Sequence, residues 1–132
     1  MIRHSIAVLG YVAATFLVQG LSHFAVFKAH YDAVTFAAPE PNFVLGLLSM
    51  LIQGSILSVL FVRTTLRDRG LAGALALSWM VGAFLVSYIA LAEPGKYAVP
   101  SIATWAGVEI AAGAVQFTLI GIVLWLAHRT AR

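Results

Sequence analysis

The sequence predicts an all-α fold: a polytopic membrane protein built as an antiparallel bundle of four transmembrane helices, with both termini cytoplasmic. Three observations carry that prediction. Only 10% of the 132 residues are charged and 61% are hydrophobic, whereas a soluble domain carries roughly 25% charged residues. The apolar residues come in runs of about twenty, the length a helix needs to cross a hydrocarbon layer about 30 Å thick. The basic residues flank those runs unevenly. Arg3, Arg63, Arg67, Arg69, Arg129 and Arg132 fall at the two termini and in the connection between the second and third runs, and only Lys28 and Lys96 fall on the opposite side. Such an excess marks the cytoplasmic side.

The runs occupy residues 5–27, 43–62, 71–92 and 102–127. All four belong to one transmembrane domain over residues 1–132, because no polar segment is long enough for a soluble unit. Span one follows Arg3 as a signal peptide does, but about 23 residues exceed the 7–15 of a typical signal core, so it reads as a retained helix. The connection RTTLRDRG is short and predicts an antiparallel hairpin of spans two and three. The longer segment KAHYDAVTFAAPEPN holds Pro39 and Pro41, which block helix continuation, and is the one loop large enough for a lid or docking surface.

Small residues recur at four-residue spacing: Ala74, Ser78 and Gly82 in span three, Gly107 with Ala111, and separately Gly113 and Gly121, in span four. Such faces let helix backbones approach closely in lipid, so these positions predict helix packing. FLVQG at 16–20 and MLIQG at 50–54 echo each other across spans of opposite direction, a match too short to establish an inverted repeat.

Polar groups inside a bilayer normally turn toward the bundle interior. Gln19 and His23 share a face of span one, Gln53 lies near the middle of span two, and Glu109 and Gln116 share a face of span four. At about 1.5 Å per residue, Glu109 lies roughly 10 Å and His23 roughly 6 Å below the outer boundary. Helix four neighbours helix one in a closed up-and-down bundle, so the expectation is that Glu109 pairs with His23 and the three glutamines continue a polar seam inward. The bland reading of the glutamines is interhelical hydrogen bonding. Glu109 has two readings, a structural clamp and a proton or ligand site.

Other chemistries are thinly represented. The absence of cysteine excludes disulfides and thiolate sites. His23, His30, Asp32 and Glu40 lack a metal-ligand spacing and read as interface and solvated loop, so neither a metal nor a catalytic residue is assigned. A haem held by two histidines is not expected, since only His23 lies within a span and His4 and His128 sit at the cytoplasmic boundary. Tyr31, Tyr88, Tyr97 and Trp105 read as an outer aromatic belt, Trp125 as its inner counterpart, and Trp79 as core or a contact with lipid or a partner. The net charge of +3 is explained by topology and implies no nucleic acid.

The segments HFAVFKAHYDA, FVLGLLSMLIQG and VEIAAGAVQFTLIG together resemble a set of small bacterial four-span membrane proteins of unknown function. The resemblance covers most of the chain and implies fold and length; it supplies no site residues, and the location expected is a bacterial inner membrane. Function then divides into two classes. The first is an accessory or stabilising subunit, acting through association with other membrane subunits or a second copy, with no cofactor of its own and with lipid, quinone or pigment bound through partners. The second is a small transporter or ligand-binding protein using Glu109, or an enzyme acting on a lipid or quinone. The topology has a direct check. Reporters fused after Arg132 and within residues 63–70 should both read cytoplasmic, and one near Pro39 exterior; a reversed signal at any of the three breaks the four-span arrangement.

Overall fold

A computed structural model of the chain describes residues 1–34, 42–96 and 98–129. Pro39, Glu40, Pro41, Tyr97 and Arg132, and with them residues 35–41 of the predicted lid segment, lie outside the described residues. Four helices are long and apolar enough to cross a membrane: Ile2–Val26, Phe43–Arg63, Thr65–Gly95 and Ile102–His128. The first comprises α1 (Ile2–Leu21) and a π-helical turn, Ser22–Val26; a short α2 (Lys28–Asp32) follows. The second is α3 (Phe43–Arg63). The third combines a 3-10 turn (Thr65–Arg69), α4 (Gly70–Ser87), a π turn (Tyr88–Ala92) and a final 3-10 turn. The fourth is α5 (Ile102–His128), at 27 residues the longest uninterrupted α-helix among the described residues.

Local chemistry sets the boundaries. Asn42 caps α3, its side-chain oxygen accepting from the backbone N–H groups of Val44 and Leu45 at 3.1 and 3.2 Å. Ser101 caps α5 by accepting from the Thr104 N–H at 3.3 Å. Both satisfy donors that a helix start leaves free. Gly70 adopts φ 60° and ψ −132°, a conformation essentially reserved for glycine, and there the connection turns into α4.

The helices pack in the order α3, α1, α5, α4. Helix four does neighbour helix one, but the expected hairpin of spans two and three is not a packed pair. α3 lies along α1 and reaches α4 and α5 at only a few points. The short 63–70 connection fixes the ends of α3 and α4 without pressing their lengths together, and α3 finds its close approach on α1 instead. A Cβ on Gly54 of α3 would lie 3.0 Å from Tyr11 Cβ and 3.4 Å from Val8 Cα of α1.

The tightest interface is α4 on α5. Ala74 and Ser78 are fully buried, and a Cβ on Gly82 would meet the Phe117 ring at 2.4 Å. Gly113 and Gly121 contribute from α5, where a Cβ would meet Val86 at 2.4 Å and Leu75 at 2.9 Å. Gly107 and Ala111 are corrections to the sequence reading. Both are exposed, and nothing lies within 4 Å of a Cβ on Gly107. They sit on the side of α5 turned away from the bundle, since the inward stripe runs through Trp105, Glu109, Ala112, Gly113 and Gln116.

This difference is measurable. Gly82→Ala should lose about 1–3 kcal/mol through overpacking against Phe117, whereas Gly107→Ala should match or slightly exceed the native protein, since alanine is the better helix former. Unfolding in detergent micelles reads both, and equal stabilities would contradict the packing described.

Candidate functional site

The polar residues gather into three groups along the bundle. At the end away from the termini, Glu109 is 6% exposed and accepts a hydrogen bond from the Tyr31 hydroxyl at 2.7 Å. The expected direct pair with His23 is replaced by a three-member stack. The His23 ring lies flat on Tyr31, centroids 3.7 Å apart and planes 13° apart, while its Nδ1–H donates to the Gln19 carbonyl at 3.0 Å. That bond satisfies His23 within its own helix, and the π turn carries the chain onward so that α2 brings a phenol, not the imidazole, to the carboxyl.

Trp105 closes this group from α5. It is 2% exposed, its ring stands edge-on to Tyr31 at 6.0 Å, and its indole N–H donates to the Ile89 carbonyl in the π turn of span three at 2.9 Å. His30 stacks on Trp105 at 5.6 Å, and its Nε2 is buried without a hydrogen-bond partner. Trp105 and Tyr31 therefore pack inward, where they roof the carboxyl. Burial, and then the neighbouring Glu109 carboxyl, hold the Tyr31 phenol above its ordinary pKa, so it stays protonated and remains the donor. Two π turns flank this level, and such turns are frequent at functional sites.

The middle group joins α1, α3 and α5. The Gln19 amide donates to Gln116 Oε1 at 2.6 Å, and the Gln116 amide donates to Thr15 at 3.3 Å. The Tyr11 hydroxyl donates to Gln53 Oε1 at 2.7 Å, and the Gln53 amide donates to Ser49 at 3.0 Å. Because α3 stands off from α4, these groups are not sealed in. A cleft of about 230 Å3 lies between them, with Gly46, Ser49 and Gln53 of α3 on one wall and Leu85 and Ile89 of span three on the other. Tyr11, Thr15, Gln19, Glu109 and Gln116 form its floor. A side-chain amide carries two N–H donors, so Gln53 and Gln116 each keep one beyond the bond just described.

The third group lies at the end holding both termini. Ser58 is fully buried; its hydroxyl is 2.8 Å from His4 Nδ1 and 2.9 Å from His128 Nε2. The two imidazoles are edge to face at 5.1 Å. A hydroxyl has one proton, so with both rings neutral it donates to one and accepts from the other. The sequence reading placed His4 and His128 at a boundary without a partner; they lie at the start of α1 and the end of α5, and His128 is 5% exposed. An apolar layer that includes Ala7, Leu57, Ile120 and Leu124 separates this group from the middle one, so the seam is two compartments and not one continuous path.

The remaining assignments are simpler. Asp32 pairs with Lys28. Trp79 is 55% exposed, its indole N–H donating to Thr118 at 3.2 Å. Among the described residues no three histidine or acidic side chains gather as a metal set. No protein-family model, curated protein or solved structure matches the chain.

The Tyr31–Glu109 bond gives a graded expectation. Glu109→Leu strands a buried phenol hydroxyl and should cost about 1–3 kcal/mol. Glu109→Gln keeps an acceptor for Tyr31 and should remain near native stability. Thermal unfolding of the purified variants separates them, and a Leu variant as stable as the native protein would show that the bond carries no weight.

Proposed function

We propose that this protein is a small membrane-embedded binding protein that takes the head group of an amphiphile from the lipid phase into the cleft between α3 and α4. One observation carries the reading: Gln19, Gln116, Thr15 and Glu109 on the floor and Ser49 and Gln53 on the α3 wall share the cleft with the apolar Leu85 and Ile89 on the wall opposite. Polar groups in a membrane bundle are normally covered by a neighbouring helix. Here the neighbour stands off, and a space that sets several polar groups opposite an apolar wall has the general character of a small-molecule site. Spare amide N–H groups suit a carbonyl or ether oxygen, and the Glu109 carboxyl offers an acceptor for a hydroxyl. About 230 Å3 equals roughly eight waters at about 30 Å3 each, enough for one substituted ring or a compact head group, with its tail left in lipid. The quinone head group fits that description. In this proposal the protein sits in a bacterial inner membrane, with the arginine-rich end and both termini in the cytoplasm.

Gly46 supplies the test, because it lines the cleft and nothing lies within 4 Å of a Cβ placed on it. Gly46→Leu should fill the cleft without disturbing packing. Native mass spectrometry of the protein supplied with isoprenoid quinones and neutral lipids should show an adduct that disappears in Gly46→Leu at unchanged melting temperature. An adduct of equal occupancy in the variant would sink the assignment of the site.

The accessory-subunit reading keeps one supporting feature. A shallow groove of about 320 Å3 along the outward side of α4 and α5, with Trp79, Gly82, Ala83 and Ala114 on it, has the small-residue character that admits another transmembrane helix. Comigration with a large assembly in mildly solubilised membranes would favour that role; migration as a free monomer or homodimer would remove it.

A further inference from the structure

The end of the bundle that holds both termini carries a second cavity, which the amphiphile reading does not use. It encloses about 600 Å3 between Phe61 at the end of α3, Arg67 and Asp68 of the connection, and Trp125, His128 and Arg129 at the end of α5. Its inner surface is aromatic. Phe61 is 2% exposed and its ring lies 5.9 Å from that of His128. Its rim is cationic, with the Arg129 guanidinium set 5.4 Å from the centre of the Trp125 ring, a cation held on an aromatic face. Arg67 and Asp68 are both exposed at the same rim. Two guanidiniums against one carboxylate leave the rim net positive, and among the described residues neither guanidinium lies within ion-pair distance of an acid.

We propose that this cavity binds the phosphodiester of an anionic membrane lipid, with Arg67 and Arg129 on the phosphate and Trp125, backed by the buried Phe61, against the glycerol and first acyl carbons. The chemistry follows from the parts. The guanidinium fork matches phosphate oxygens and sheds water more readily than an ammonium does. The aromatic walls give a soluble phosphate nothing to contact, whereas a lipid covers them. The cavity opens where the spans end, at the level of the head groups, and basic pockets between spans at that level are suited to anionic lipids. The three elements that meet there are the end of α3, the connection and the end of α5, so a bound lipid would fasten the one end at which α3 reaches α5. The site lies across the apolar layer from the cleft and stands whether or not the cleft holds a ligand.

The test uses the full chain in nanodiscs of phosphatidylcholine containing a minority of phosphatidylglycerol, followed by detergent extraction and native mass spectrometry of retained lipid. Phosphatidylglycerol should be retained over phosphatidylcholine. Arg67→Gln and Arg129→Gln should each lower that preference about fivefold, the equivalent of about 1 kcal/mol per basic residue near a membrane surface. Arg63→Gln with Arg69→Gln removes twice the charge of either single variant from outside the cavity and should leave the preference intact. An equal loss in that control would assign the effect to general surface charge and overturn the site. Displacement of the lipid by inorganic phosphate at matched concentration would overturn the lipid assignment in favour of a free anion. Equal retention of both lipids by the native protein would overturn the proposal outright.

Discussion

Hydrocarbon offers no hydrogen-bond partner, and that constraint sorts nearly every polar side chain in this bundle. Each amide, hydroxyl or carboxyl within a span must find its complement on another helix, at its own helix's backbone or where water reaches. The result is visible in the pairings. Gln19 meets Gln116, Tyr11 meets Gln53, Tyr31 meets Glu109 and Ser58 meets both His4 and His128. Each joins α1, α3 or α2 to a partner far away in sequence, so the polar contacts determine which helices are neighbours as much as the apolar ones do. α4 is the exception that explains the cleft. Its buried stripe is Gly73, Ala74, Leu77, Ser78 and Gly82, which offers backbone proximity to α5 and no long polar side chain for α3 to hold.

Much of the fold was legible because span length is a property of local sequence. Residues 5–27, 43–62 and 102–127 anticipate three of the four helices to within about three residues, and 71–92 falls inside the third, which starts six residues earlier with the 3-10 turn at Thr65. The identity of the residues that line the seam was legible for the same reason, since a glutamine or glutamate in an apolar run has few places to go. The partners were not. Matching depth alone paired Glu109 with His23, and depth is blind to what lies between. A π turn and a five-residue helix, neither marked by the sequence, carry Tyr31 over the carboxyl. The tyrosine lies eight residues after His23, two nominal turns on, and that spacing was the one available signal.

The histidines at the terminal end show the same limit from the other side. His4 and His128 were separately unremarkable at the ends of apolar runs. Their meeting follows from α1 lying beside α5, which was anticipated, and from Ser58 arriving on α3, which was not. Gly107 and Ala111 failed for a different reason. Four-residue spacing identifies a stripe on a helix without saying which stripe faces inward. Only the heavier stripe through Trp105, Glu109 and Gln116, displaced by part of a turn, resolves that choice.

The two ends of the bundle consequently do different physical work. At the terminal end, Ser58, His4 and His128 draw α3 against α5 and α1, and the apolar layer above them is complete. Toward the other end α3 keeps only α1, through Gly54 against Tyr11, and the space it leaves toward α4 is the cleft. A helix held at one end and along one side leaves its far edge standing away from the remaining helix. That edge carries Ser49 and Gln53, and the floor it uncovers carries Gln116 and Glu109. Gln116 and Glu109 stay buried, yet they lie at the foot of a cleft that a fully closed four-helix bundle would not have.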